Sequence, residues 1–163
     1  MTDEFERMGN DPGAWRTSAE ALVYNADVLK KHRYQQHEQE ITASNASVDV
    51  SRTFGELLLW GYSLEAFLKC LFLKEGGEMA RDGKLVDPGK HDLLQMARKA
   101  HLQPTSAQCS ILKRLSIIIQ WSGRYPIATT PQKTFQSHHW GHPEDDDVLE
   151  ELIEAIRLKI DAP

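Results

Sequence analysis

The chain has 163 residues, 40% hydrophobic and 26% charged, a globular mix of a size that suits one domain with its own core. Its formal net charge of −5 excludes attraction of nucleic-acid backbones by bulk charge, so any such contact must come from a local basic patch. Two cysteines, Cys70 and Cys109, give no paired spacing for zinc or for a disulfide framework, and both read as small core hydrophobes.

Residues 1–13 are acidic, polar and turn-rich, ending in Asn10-Asp11-Pro12-Gly13, and are expected to be a flexible N-terminus without the apolar core of a signal peptide. Periodic structure follows. Trp15, Ala19, Leu22, Val23, Ala26 and Leu29 recur at three- and four-residue spacing and predict one helix, with Thr17 or Ser18 as its start signal. Its polar continuation over 30–40 extends into solvent, and Thr42, Ser44, Asn45 and Ser47 supply a break.

The strongest helix lies over 48–75, a proline-free stretch of about 40 Å. Apolar residues occupy nearly every face of it, among them Phe54, Leu57, Leu58, Trp60, Leu64, Phe67, Leu68 and Leu71, so neighbouring helices must surround it. Arg52, Glu56 and Ser63 share one angular stripe and are expected to form its exposed edge. Glu65 and Lys69 stand in the i, i+4 order that favours an ion pair, among apolar neighbours. Gly76-Gly77 ends the helix. No membrane span is expected, because Glu56, Glu65 and Lys69 interrupt the longest apolar run, and the cytoplasm is the expected location.

Residues 76–90 carry turn signals at Asp82-Gly83 and Asp87-Pro88-Gly89 and no convincing strand pattern. The run from Gly77 to Lys84 is a poor phosphate loop: five residues separate Gly77 from Gly83, Leu85 stands where Ser or Thr would hold magnesium, and no strand precedes it. A short helix is predicted over 91–101, with Asp92 in its first turn. Another begins after Pro104, carries Ile111, Leu112, Leu115, Ile118 and Ile119, and stops near Gly123 because Pro126 disfavours helical geometry at Tyr125. The connection over 127–143 holds the cluster His138, His139 and His142, but Gly141 and Pro143 disfavour a held metal geometry there, and neither metal nor cofactor is expected. The last helix has a clean stripe of Val148, Leu149, Leu152, Ile153, Ile156 and Ile160 behind an acidic start at Asp145, Asp146 and Asp147. The sum is an all-α domain over 14–163, an antiparallel up-and-down bundle of four to five helices.

Three segments together resemble the HEPN family (higher eukaryotes and prokaryotes nucleotide-binding). Gly61-Tyr62-Ser63-Leu64-Glu65-Ala66-Phe67-Leu68-Lys69 resembles its second helix, Lys90-His91-Asp92-Leu93 its His-Asp-Leu helix start, and Arg124-Tyr125-Pro126 its Arg-Tyr-Pro. The resemblance, which runs from about Trp15 to Ile160, implies a helical bundle, often homodimeric, of bacterial toxin–antitoxin, phage-defence or RNA-processing systems. It also implies a ligand site, for which Glu65, Lys69, His91 and Arg124 are the candidate residues. Some members of the family are metal-independent ribonucleases with an Arg-x4-6-His signature. Here Arg33 and His37 have three residues between them, Arg98 and His101 two, and Arg124 no histidine before His138, so that signature is missing. The expectation is therefore a non-catalytic module, as a homodimer, for a nucleotide, RNA or partner protein. The alternative is a divergent ribonuclease in which Arg124 stabilises the scissile phosphate and His138, His139 or His142 acts as acid or base.

Overall fold

Helix start and stop signals in the chain set the order of its elements. The computed structural model describes residues 2–39, 46–86, 89–122 and 144–162. Helices run over Thr2–Gly9 (α1), Pro12–Gln39 (α2), Ala46–Lys74 (α3), Leu93–Lys99 (α4), Ser106–Ile117 (α5) and Glu144–Asp161 (α6), with a wider π-type turn over Ile118–Ser122 extending α5. Two short antiparallel strands, Ala80–Arg81 (β1) and Lys84–Leu85 (β2), lie between α3 and α4. The described residues are thus all-α apart from one small hairpin. No helix among the described residues is long and apolar enough to cross a membrane.

The long helix α2 starts earlier than the Thr17/Ser18 signal. The Asp11 carboxylate accepts the Gly13 N–H at 2.8 Å, and Pro12, which needs no hydrogen-bond acceptor, occupies the first helical position. At the other end of the neighbouring helix, α3 closes on a glycine pair. Gly76, at φ +83°, donates to the Leu73 carbonyl, and Gly77 donates to the Phe72 carbonyl. That pair of bonds satisfies carbonyls which a helix end would otherwise leave open.

Helix α3 is the central rod. Leu64, Phe67 and Leu68 have no exposed surface and Leu71 almost none, each worth about 1.5–3 kcal/mol of apolar burial. Its neighbours are α2, α4, α5, the π-type turn and α6. Both α3 and α6 run antiparallel to α2. Lys69 sits over the Trp15 ring near one end of the α2–α3 pair, while Arg33 bonds Glu56 towards the other. Likewise Arg16 pairs with Asp161 and Tyr34 with Asp146 along α2 and α6.

The expected exposed stripe on α3 is overturned at both of its described side chains. Glu56 and Ser63 are buried, with Ser63 Oγ donating to the Trp60 carbonyl at 2.8 Å. Spacing shows which residues share a face, whereas the arrangement of the neighbouring helices decides which face is covered. Here α2 and α6 close over Glu56, and the Arg33 guanidinium neutralises it.

Residues 2–13 form α1 and the start of α2. Asn10 holds α1 to the hairpin: its amide donates to the Ala80 carbonyl at 2.8 Å, and its Oδ1 accepts from the Met79 and Ala80 N–H groups at 2.7 and 3.0 Å. The hairpin turns on Asp82 and Gly83, both at positive φ, the Asp-Gly pair that two-residue hairpins favour. Asn10→Ala strips partners from buried main-chain groups. It should lower stability by about 1–3 kcal/mol and speed amide exchange at Met79 and Ala80.

Gly61 sets the approach of α5 to α3. A Cβ at that position would lie 2.4 Å from Ile119 Cγ2 and 3.6 Å from the Leu115 carbonyl oxygen. Gly61→Ala gains about 1 kcal/mol of helix propensity but overpacks a filled interface at a cost of about 1–3 kcal/mol. A lower urea midpoint is therefore expected in chemical denaturation.

Candidate functional site

The loop entering α4 builds the site from the backbone up. Asp92 N–H donates to the Gly89 carbonyl at 2.8 Å, closing a turn whose central residues, Lys90 and His91, have φ of 46° and 67°. Left-handed geometry at two successive side-chain-bearing residues costs about 1–2 kcal/mol each, so surrounding contacts must hold it. Asp92 caps α4 by accepting the Gln95 N–H at 2.9 Å. Buried Ser116 of α5 accepts the Leu93 N–H at 2.9 Å and donates to the Leu112 carbonyl at 2.7 Å. Gln120, one residue before Trp121, reaches the His91 carbonyl at 3.4 Å. The start of α4 is thereby tied to α5 and its π-type extension.

This turn presents His91 to α3. Its Nδ1–H donates to Glu65 Oε2 at 2.9 Å, and the other Glu65 oxygen accepts from Lys69 Nζ at 2.6 Å. Lys69 also lies 4.8 Å from the centroid of the Trp15 ring, on which α2 supplies a cation–π face. Glu65 and Lys69 are buried, whereas the His91 side chain is 40% exposed. The carboxylate therefore fixes the ring through Nδ1, and Nε2, on the far side of the imidazole, has no hydrogen-bond partner among the described residues. When protonated, Nε2 donates to an anionic oxygen; when neutral, it accepts from a hydroxyl or amine.

Three of the four candidate residues thus meet at one point. Sequence spacing pointed to the Glu65–Lys69 pair, and the structure adds His91 as the second partner of Glu65. Arg124 lies outside the described residues, as do His138, His139, His142 and the 127–143 connection. Among the described residues, no group of three or more His, Cys, Asp or Glu side chains is placed to hold a metal ion.

Sequence reasoning missed a second polar cluster between α2, α3 and α6. Arg33 donates to both oxygens of buried Glu56, at 2.9 and 3.1 Å, and to Asp146 at 3.2 Å. Tyr34 donates to Asp146 at 2.6 Å, and Lys30 lies 3.5 Å from Asp146 and 2.6 Å from Glu150. Hydrogen bonding to Glu56 above all pushes the Arg33 guanidinium further above its ordinary pKa. No local motif links Arg33 to Glu56 or Asp146. Arg33 is thereby committed to a structural cluster.

No family model, no curated protein and no solved structure matches the chain. The chemistry of the site accordingly carries the functional reading.

Removing one member of the buried pair leaves the other charge uncompensated. Glu65→Ala should cost about 3–5 kcal/mol of stability. The double substitution Glu65→Leu, Lys69→Leu should cost less than that single change. Equilibrium unfolding of the three proteins gives the comparison.

Proposed function

We propose that this chain is a non-catalytic HEPN-like binding module, a homodimeric helical bundle of a bacterial toxin–antitoxin or phage-defence system. Its ligand is a nucleotide or RNA rather than a partner protein. One observation carries the reading: a buried carboxylate, balanced by Lys69, orients the half-exposed imidazole of His91, whose outer nitrogen has no partner among the described residues and can meet a ligand. A nucleotide offers both partners which that nitrogen can use, phosphate oxygens when it is protonated and ribose hydroxyls or base amines when it is not. Arg124 completes the site in this proposal as a planar fork for phosphate. The sequence places it two residues beyond Ser122, on the segment leaving the helix that touches His91 through Gln120.

The ribonuclease alternative needs a second catalytic group. Its arginine is not Arg33, which is held by Glu56 and Asp146. An oriented imidazole alone supplies binding more readily than strand scission, which requires both a general base and a general acid.

Fluorescence anisotropy with labelled RNA and with labelled adenine nucleotide tests the proposal. His91→Ala should weaken binding at least about tenfold, the equivalent of one charge-assisted hydrogen bond, while circular dichroism shows an unchanged fold. Gel analysis should recover the RNA intact. Equal affinity of the variant, or RNA cut by wild type and spared by Arg124→Ala, would overturn it.

A further inference from the structure

A groove of about 650 Å³ runs between α2 and α6, away from the His91 site. Its floor is apolar and buried: Val23 from α2, Trp60 from α3 and Ile153 from α6. Its rim is acidic, with Asp27 on one side and Glu150, Glu151 and Glu154 on the other. One cation, Arg157, stands among the lining residues, and it is committed to Glu20, with Nε 3.0 Å from Oε1. Glu150 is bonded to Lys30, whereas Asp27 and Glu151 have no ion-pair partner among the described residues. Glu154 lies 3.8 Å from the same Arg157 guanidinium, so the negative charge left on the groove is carried by Asp27 and Glu151.

A second feature points to an occupant. Trp60 is 2% exposed, and its Nε1–H has no hydrogen-bond acceptor among the described residues. A buried donor without a partner costs about 1–3 kcal/mol, so an acceptor reaching the floor would be rewarded. Among the lining residues, Leu158 of α6 is an exposed large hydrophobic side chain.

We propose that this groove binds a basic, extended peptide segment of a partner protein. Arginine or lysine side chains of the peptide meet Asp27 and Glu151, an apolar side chain packs on Leu158, and a main-chain carbonyl accepts from Trp60. An extended strand suits the site better than a helix, because the carbonyls of a helix interior are already bonded. The stretch of α6 from Glu150 to Leu158 is about 12 Å long, the span of about four extended residues. Charge complementarity speeds the encounter, and the apolar rim and floor give it grip.

The test uses the full chain and fluorescein-labelled peptides of about ten residues, rich in arginine and carrying one leucine. A matched set has glutamate in place of arginine, and spermine serves as the small polycation. Binding is followed by anisotropy and by the tryptophan indole N–H resonances, with Trp60 assigned through Trp60→Phe. The basic peptides should bind and shift the Trp60 indole signal, and added salt should weaken them. The double variant Asp27→Asn, Glu151→Gln, altered only at surface positions, should raise the dissociation constant at least about tenfold while retaining the native circular dichroism spectrum. The proposal fails if the acidic peptides bind as well, if the double variant binds unchanged, or if the Trp60 resonance does not move. It also fails if spermine produces the same shift and competes fully, since the site would then be one for small polycations.

Discussion

Helix α3 carries apolar side chains on nearly every face, and hiding those faces from water is the constraint on which the rest of the structure depends. A rod of that kind is stable only when other elements cover it all round. The α2, α4, α5 and α6 helices do so, leaving Leu64, Phe67 and Leu68 without exposed surface. Gly61 governs one of these contacts, because the missing side chain lets Ile119 settle on the helix backbone. That approach brings the end of the α5 extension against the turn carrying His91. The geometry of the site is thus a consequence of how closely two helices pack some distance from it.

Full enclosure has an electrostatic consequence. Glu56, Glu65 and Lys69 lie on the rod and are buried with it, and a buried charge is tolerated only with a partner. Glu56 is met by Arg33 of α2, and Glu65 by Lys69 of its own helix and by His91. The two solutions differ in use. The Arg33 cluster engages its guanidinium on both sides and joins three helices. The Glu65 cluster ends on a half-exposed ring with one nitrogen unpartnered among the described residues. Of the two, only the second offers ligand chemistry, and the left-handed backbone at Lys90 and His91 is the strain accepted to place that ring.

The molecule also divides its surface by charge. Helices α2 and α6 are zipped along their length by Arg16–Asp161, Arg157–Glu20, Lys30–Glu150 and Tyr34–Asp146. Such exposed pairs contribute little to stability individually, yet they fix the register of two antiparallel helices. The acidic side chains left over line the groove between those helices. A half-exposed imidazole at one place and a negative groove at another give the molecule two surfaces of different chemistry.

Much of this was legible in the amino-acid sequence by itself. Periodicity placed α3 over 48–75, against Ala46–Lys74 in the structure, because an uninterrupted apolar helix needs no tertiary information to be recognised. The Gly76-Gly77 stop, the core stripe of α6 and the Glu65–Lys69 pair follow equally from local geometry. Asp11-Pro12 reads as a turn-rich opening and Asp82-Gly83 as a turn; that the first starts a helix and the second closes a hairpin depends on partners distant in the chain, since Asn10 closes on Ala80 only once α1 folds back. The burial of Glu56 and Ser63, the commitment of Arg33 to Glu56, and the meeting of His91 with Glu65 were decided by tertiary structure alone. Spacing along one helix defines its faces; which of them water reaches, and which charge stands opposite, depends on helices whose placement the local sequence does not encode.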